Sequence, residues 1–454
     1  MNRPSIYFIG AGGIGMSALV RYFLAKNYKV AGYDKTATPL THALIEEGAE
    51  IHFEDSVDLI PAYCKDKNTI IVRTPAVPVT HSEYCWFKDN GYRILKRAEL
   101  LGEITKLSKA LCIAGTHGKT TTSTMLAHIL KQSKVDCNAF LGGIVKNYSS
   151  NLMLSDKSPL TVIEADEYDR SFHHLHPYMA VITSSDPDHL DIYGNEESYL
   201  ESFEHFTSLI SSDGILLLKK GLKIKPRINK NVKLYTYSIE GGTDFHAENI
   251  RIGNGTIIFD MISPIQNIKD IELGVPVWIN IENSIAAMAI AQLNGVDENE
   301  LRSGIKSYLG AKRRFDFWIK GNNHVLIDDY GHHPEEVSAS IKSVKQLFEG
   351  RKLTVIFQPH LYSRTKDFYK EFAKALSFAD EILLLDIYPA REEPIEGVTS
   401  DLIYDLIESD NKKRITKSDL LDYIKTNDFN VLMTLGAGDI DLLLPEIKKL
   451  IEEK

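Results

Sequence analysis

The stretch CIAGTHGKTTTS, Cys112–Ser123, closes a short apolar run and opens at once into a helical pattern. Its glycines, Gly115 and Gly118, bracket Thr116 and His117, and Lys119, Thr120 and Thr121 follow at the helix start. Glycines at a strand-to-helix turn let backbone amides converge on one point. Those amides and the lysine ammonium can cradle the β- and γ-phosphates of a nucleotide, while a threonine hydroxyl reaches a divalent cation. Only two residues separate the glycines, so the loop is not the standard P-loop. A plain helix-capping turn is the alternative, but it gives Lys119 no task. The stretch reads as an ATP site.

Outward from this loop, short apolar runs alternate with helical patterns along almost the whole chain. Among them are Ser5–Ile9, Leu160–Ile163, Ala180–Thr183, Val325–Ile327, Leu353–Phe357 and Val431–Leu435. Runs of this kind, several ending in Gly, Asp or Pro, are typical of buried parallel strands joined by crossover helices. The class is α/β. A chain of 454 residues exceeds one ordinary core, and breaks near Lys106–Lys109 and Gly310–Arg314 divide it into 1–107, 108–311 and 312–454. Between about 220 and 280 the runs LYTYSIE, DFHAENI and GTIIFDMI predict a small antiparallel patch on the middle domain.

A second glycine loop lies in IYFIGAGGIGMS, Ile6–Ser17, with Gly10, Gly12 and Gly15 in GxGxxG spacing. Asp34 closes the next run, VAGYD, near the distance expected of a ribose-binding acid. Taken alone this pattern fits a dinucleotide, another phosphorylated nucleotide, or close strand–helix packing. Two nucleotide loops in successive domains weaken a dehydrogenase reading.

Bulk properties narrow the field. Hydrophobic content of 43% and charged content of 25% are those of a globular protein. A formal net charge of −10 opposes nucleic-acid binding, which needs a basic face. Cys64, Cys85, Cys112 and Cys137 form no CxxC pair and read as reduced thiols. No run approaches the roughly 20 apolar residues that span a bilayer, and the N-terminus lacks a signal-peptide pattern. A cytoplasmic protein without membrane insertion is expected.

GTHGKT and IGAGGIGMS together resemble the Mur ligases, in particular the branch that adds alanine to a muramate. Later motifs agree and follow in order: EADEYDRSF (Glu164–Phe172), DPDHLDIYG (Asp186–Gly194), KRRFDF (Lys312–Phe317), DDYGHHP (Asp328–Pro334), FQPHLYSRT (Phe357–Thr365) and GAGDI (Gly436–Ile440). The resemblance covers nearly the whole chain. It implies three domains: a Rossmann-like N-terminal domain, a central P-loop-type ATPase domain and a C-terminal Rossmann-like α/β domain. It also implies the partners UDP-N-acetylmuramate and L-alanine, joined with ATP and Mg²⁺ or Mn²⁺ by a monomer or homodimer. In such a reaction the lactyl carboxylate attacks the γ-phosphate, and the alanine amine then attacks the acyl phosphate.

Site roles follow from the same resemblance. Gly10, Gly12, Gly13, Ile14 and Gly15, with Asp34 and Ser171, are carried over as the UDP-sugar site. Gly115, Thr116, Gly118, Lys119, Thr120, Thr121, Asn280, Asn283, Arg314, Asp329 and Tyr330 are the nucleotide site. Thr120, Glu164 and His189 are the metal set, a combination that suits magnesium completed by water and phosphate oxygens. Lys119, Arg314, Asp329 and His332 are the catalytic group, with Arg313 or Asp328 open as the structural half of its pair. His360 and Arg364 are suited to the carboxylate of the amino acid. Asn283 has a plainer alternative as a helix N-cap. Three positions depart from the family pattern: Ile279, where His is common, Leu361, where a second Arg is common, and Arg391, where a small residue is common. EADEYD is shared with the relative that attaches a whole murein tripeptide, which remains the nearest rival. An NAD-dependent oxidoreductase and a non-catalytic nucleotide sensor leave most of these motifs unused.

An acyl phosphate must be shielded from water, so domain closure over the triphosphate is expected. Replacing Lys119 by Ala is predicted to abolish phosphate release while leaving UDP-sugar binding nearly unchanged, as calorimetry of the variant would report.

Overall fold

The computed structural model describes residues 3–253, 255–390 and 392–454, so Arg391 lies outside the described residues. Three sheets carry the α/β architecture. The first contains β1 (Ser5–Ile9), β2 (Lys29–Tyr33), β3 (Glu50–His52), β4 (Ile70–Arg73) and β5 (Ile94–Lys96), in the order β3-β2-β1-β4-β5. All its pairings are parallel. The chain turns to opposite sides after β1, which opens a crevice beyond the carboxyl ends of β1 and β4. The first glycine loop sits there. Gly10 has φ +91°, and a Cβ on it would lie 2.3 Å from Thr74 Cγ2.

The second sheet has ten strands: β6 (Lys109–Ala114), β7 (Asn138–Val145), β8 (Ser150–Met153), β9 (Leu160–Glu164), β10 (Pro177–Ile182), β11 (Ile215–Lys219), β12 (Lys233–Ser238), β13 (Phe245–Gly253), β14 (Thr256–Ile262) and β15 (Ile268–Glu272). Their order is β15-β14-β13-β12-β11-β10-β6-β9-β7-β8. β6 lies between β10 and β9, parallel to both, and is buried from Ala110 onward. One expectation is corrected here. β12, which carries most of LYTYSIE, pairs parallel with both β11 and β13 and not antiparallel. Its exposure falls steadily from Lys233 and Leu234 to buried Tyr237 and Ser238, so the polar–apolar alternation of the segment is no guide to the direction of its partners. β13 and β14, which carry DFHAENI and GTIIFDMI, are neighbours in the order with two residues between them in sequence, a connection that only antiparallel neighbours permit; β7 and β8 pair antiparallel as well.

The third sheet is formed by β16 (Asp316–Lys320), β17 (Val325–Asp329), β18 (Leu353–Phe357), β19 (Glu381–Leu384), β20 (Lys412–Arg414) and β21 (Val431–Leu435), ordered β16-β17-β21-β18-β19-β20. Only the β16–β17 pairing is antiparallel among these. The motifs DDYGHHP, FQPHLYSRT and GAGDI all begin at or beyond the carboxyl ends of its strands, where α/β sheets bind ligands. Among the described residues no helix is long and apolar enough to cross a membrane.

By contacts the chain forms two compact units. One holds residues 1–248, 261–269 and 282–308, and the other holds 249–260, 270–281 and 309–454. Within the first unit the elements around the first sheet are tied to those of the second. Helix Ile14–Ala25 packs on β7, with the rings of Tyr22 and Phe140 5.3 Å apart. Fully buried Asn151 donates to Ile14 O at 2.6 Å and to Ser17 Oγ at 3.0 Å, and accepts from Arg21 Nη1 at 2.7 Å. Helix Arg97–Thr105 leans on the turn Tyr168–His174, closely enough that a Cβ on Gly102 would lie 2.3 Å from His174 O.

A buried polar group lies on the other face of the first sheet. Tyr7 Oη donates to Glu83 Oε2 at 2.7 Å and lies 2.8 Å from His52 Nε2. Burial pushes the Glu83 carboxyl from its ordinary 4.5 up to about 7, against the pull of the Tyr7 hydrogen bond.

Gly102→Ala would ordinarily stabilise a helix by about 1 kcal/mol. Here the clash with His174 O is expected to reverse the sign and cost about 1–3 kcal/mol, read as a lowered Tm. The raised Glu83 value means that the folded state keeps a proton that the unfolded state releases, so this group's contribution declines as pH rises from about 4.5 to 7. Glu83→Gln removes that titration. Its stability relative to the wild-type chain should therefore grow across this window in denaturant unfolding followed at each pH.

Candidate active site

The second glycine loop is buckled by the strand beside it. Gly115 has φ +137° and Gly118 has φ +83°, both in the region that favours glycine. His117 N donates to Ser184 Oγ at 2.6 Å, Thr183 Oγ1 donates to His117 O at 2.5 Å, and Thr116 Oγ1 donates to Asp186 O at 2.7 Å. These partners follow β10 and shape the loop, yet nothing in the motif announced them. Helix Lys119–Gln132 begins on the loop, so the amides of its first turn have no intrahelical acceptors and face an incoming anion.

Lys119 is folded back over this concavity. Its Nζ donates to Gly115 O at 2.6 Å, to Thr116 O at 3.2 Å and to Glu167 Oε1 at 2.9 Å. The Glu167 side chain is only 2% exposed. Burial raises its carboxyl above the ordinary range, and the Lys119 charge opposes that rise. Asn283 Oδ1 lies 2.8 Å from where a Cβ on Gly118 would sit, and accepts from Thr122 Oγ1 at 3.3 Å. Helix Trp278–Leu293 starts five residues earlier, so Asn283 is interior to it and is not an N-cap. Asn280, which falls in the other unit, donates to Val275 O at 3.1 Å.

Glu164 ends β9 beside the loop. Thr120 Oγ1 donates to its Oε1 at 3.1 Å, and Gly142 N donates to its Oε2 at 3.1 Å. Burial raises the carboxyl, while Lys119 and Thr120 pull it back. A Cβ on Gly142 would lie 2.2 Å from Glu164 Oε1, so this glycine makes room for the carboxylate. A hydroxyl and a carboxylate this close suit a hard divalent cation whose other positions are filled by water and phosphate oxygens. His189 has φ +53°, lies 3.6 Å through Nε2 from Asp188 Oδ2, and meets the Tyr168 ring edge-on at 5.1 Å. Among the described residues no group of three or more His, Cys, Asp or Glu side chains forms a metal cage.

Beside the first glycine loop lies a cavity of about 230 Å³, lined on one side by Gly13, Ile14 and Gly15 and on the other by Gly142, Glu164 and Asp166. It is smaller than the about 300–1,000 Å³ of a whole ligand cleft. Asp34 braces the first loop, its Oδ2 accepting from Gly12 N at 2.7 Å and its Oδ1 from Thr36 N at 3.1 Å. Ser171 is half-buried in the turn Tyr168–His174.

The second unit gathers the remaining candidates beyond its own sheet. Arg313 is the structural member of the arginine pair: its Nε lies 3.3 Å from buried Asp328 Oδ2, and its Nη1 donates to Gly438 O at 2.9 Å. Arg314 is exposed, with its guanidinium 5.5 Å from the centre of the Tyr330 ring. Asp329 is buried and accepts from Ser340 Oγ; burial raises its carboxyl against that bond and the Arg314 charge. His332 Nδ1 lies 3.0 Å from Tyr330 O, and burial lowers the imidazole. Its ring meets that of His360 at 6.0 Å. Burial and the neighbouring Arg364 push His360 down to about 4, so it is neutral at pH 7. Arg364 Nη1 lies 3.3 Å from His360 Nδ1. A cation beside a neutral imidazole is a fit receiver for a carboxylate. Leu361, between His360 and the helix Tyr362–Leu376 that carries Arg364, has φ +69°, a conformation costly for a γ-branched side chain.

Known proteins match this arrangement. Residues 5–109 match the Mur ligase family catalytic domain, 113–291 the Mur ligase middle domain and 313–442 the Mur ligase glutamate ligase domain. The UDP-N-acetylmuramate–L-alanine ligase of Parabacteroides distasonis is 60% identical over 98% of this chain and 97% of its own. That of Porphyromonas gingivalis W83 is 58% identical over 98% and 99%. The crystal structure of UDP-N-acetylmuramate-alanine ligase from Thermotoga maritima superposes with a TM-score of 0.82 at 26% identity, covering 99% of this chain and 98% of that one. A murein peptide ligase from Psychrobacter arcticus, 21% identical with a TM-score of 0.67 over 98% and 99%, shares the fold. The chain belongs to the Mur ligase family, among the UDP-N-acetylmuramate–L-alanine ligases.

Proposed function

We propose that this chain joins L-alanine to the lactyl carboxylate of UDP-N-acetylmuramate while ATP is cleaved to ADP and phosphate, a step of peptidoglycan precursor synthesis. The observation that supports the reading is the cavity lined on one side by the first glycine loop and on the other by Glu164, whose carboxylate accepts from Thr120 at the start of the second loop's helix.

The first step brings a carboxylate up to a triphosphate, so negative charge must be neutralised as the phosphoryl group moves. Lys119 supplies a cation already bent over the loop, and the arriving phosphates replace Glu167 and the loop carbonyls as its acceptors. Glu164 and Thr120 would hold Mg²⁺, which would supply Lewis-acid stabilisation of the charge on the transferring group. A carboxylate oxygen of the sugar bonds to the γ-phosphorus, and the bond to ADP breaks. The amine of L-alanine then bonds to the acyl carbon, loses a proton, and phosphate departs. His360 and Arg364 are the residues to receive the carboxylate of L-alanine. Asn283 is the candidate for the adenine side of the loop, and Arg314, Asp329, Tyr330 and His332 are the candidates within the second unit. ATP and UDP-sugars are cytoplasmic metabolites, and the enzyme is assigned to that compartment with them.

Phosphate release should require UDP-N-acetylmuramate, L-alanine and a divalent cation together, and should give a product whose mass has increased by one alanine residue. Release with L-Ala-γ-D-Glu-meso-diaminopimelate in place of L-alanine would overturn the reading. Stripping the metal with EDTA should abolish turnover and added Mg²⁺ restore it. Glu164→Gln is expected to lower kcat by about 100-fold and to raise the Mg²⁺ concentration needed for half-maximal rate.

A further inference from the structure

That cavity presents a charge problem. Glu164 and Asp166 both line it, yet the reaction proposed above puts a sugar nucleotide there that carries a diphosphate and a carboxylate. Like charges disfavour one another in a partly dry site, so the cavity needs a cation. Arg97 is the one cationic side chain among the described residues lining it.

Its placement is specific. Arg97 is the first residue of helix Arg97–Thr105, and that helix is held at both ends. Lys96 N donates to Glu99 Oε2 at 2.6 Å at the start, and Gly102 lies against His174 further along. The guanidinium rests on the bare backbone of Gly15, where a Cβ would be 2.7 Å from Nη1 and 3.2 Å from Cζ. Gly15 belongs to the first turn of helix Ile14–Ala25, whose leading amides lack intrahelical acceptors. On its other side Arg97 Nη2 is 3.4 Å from Asp166 Oδ2. That is longer than the about 2.7–2.9 Å of a good charge-assisted hydrogen bond, and the Arg97 side chain keeps 22% exposure. Asp166 holds the guanidinium loosely, and most of its five donors stay available.

We infer that Arg97 is a substrate-binding residue: its guanidinium closes on an anionic oxygen of the UDP-sugar, phosphate or lactyl carboxylate, opposite the first-turn amides of helix Ile14–Ala25, and Asp166 is its partner until that anion arrives. The inference rests on the ligase reading. It also gives Gly15 a second task, since a side chain there would displace the guanidinium as well as obstruct the loop.

The test is calorimetric binding of UDP, UDP-N-acetylmuramate and ATP to the wild-type chain and to Arg97→Gln, Arg97→Lys and Asp166→Asn, with thermal melting of each. Arg97→Gln should weaken UDP-N-acetylmuramate by about 10- to 100-fold, the scale of a lost charged hydrogen bond, with ATP affinity and Tm held. Arg97→Lys should recover part of the loss, as a point charge replaces the planar fork. An equal loss for UDP locates the contact at the diphosphate, and a loss confined to UDP-N-acetylmuramate locates it at the carboxylate. Asp166→Asn should bind the sugar nucleotide as well as the wild type or more tightly. If the ion pair is merely structural, Asp166→Asn would instead copy the loss of Arg97→Gln, and that result overturns the inference. Unchanged affinity for both uridine ligands in Arg97→Gln does so too. A wild-type chain that binds no UDP-N-acetylmuramate removes the ligase reading itself, whereas wild-type binding with an indifferent Arg97 removes only this one.

Discussion

An ammonium drawn into a partly buried loop has to find acceptors, and the arrangement around Lys119 follows from that requirement. Two loop carbonyls and the Glu167 carboxylate meet the charge, and Glu167 can be there only because β9 and the turn after it run beside β6. The same turn carries Glu164 toward Thr120 and Asp166 toward Arg97. One four-residue stretch, EADE, therefore sets the position of Lys119, the candidate metal carboxylate and the cation of the neighbouring cavity. Each carboxylate faces a different partner, which is how three acidic side chains coexist in so short a segment.

Much of this could be read from the residues. Apolar runs ending in glycine located the parallel strands, and GTHGKT located the nucleotide loop without help from any neighbour, because both signals are local in sequence. What escaped is set by contacts between distant segments. Arg97 acquires its role from Gly15 and Asp166, Gly142 from Glu164, and Asn151 from Ile14 and Ser17. None of these has a distinctive sequence context. The misread strand β12 failed for a related reason: alternation records which face is wet, but the direction of the partner strand is a tertiary fact. Where the sequence left Arg313 and Arg314 undecided, packing separated them, since Arg313 is used up by Asp328 and the carbonyls of the GAGDI turn while Arg314 faces outward.

The amino-acid end of the second unit shows electrostatics used sparingly. His332 and His360 are both held toward the neutral form by burial, which leaves Arg364 as the charge between them. Leu361, where a second arginine is common in the family, adds none. The positive-φ backbone at Leu361 turns the chain so that His360 and Arg364 share one side.

Gly15 and Gly142 are defined by what they lack, each being the imprint of a charged side chain lying where a Cβ would go. That has a bearing on inhibition. A compound that bridged the cavity by satisfying Arg97 at one end and Glu164 at the other would rest on these two glycines as its floor. Mutational escape usually proceeds by adding bulk beneath a bound compound. Here any added side chain would first displace the Arg97 guanidinium or the Glu164 carboxylate, so that route would dismantle the two ends of the proposed site along with the compound's footing.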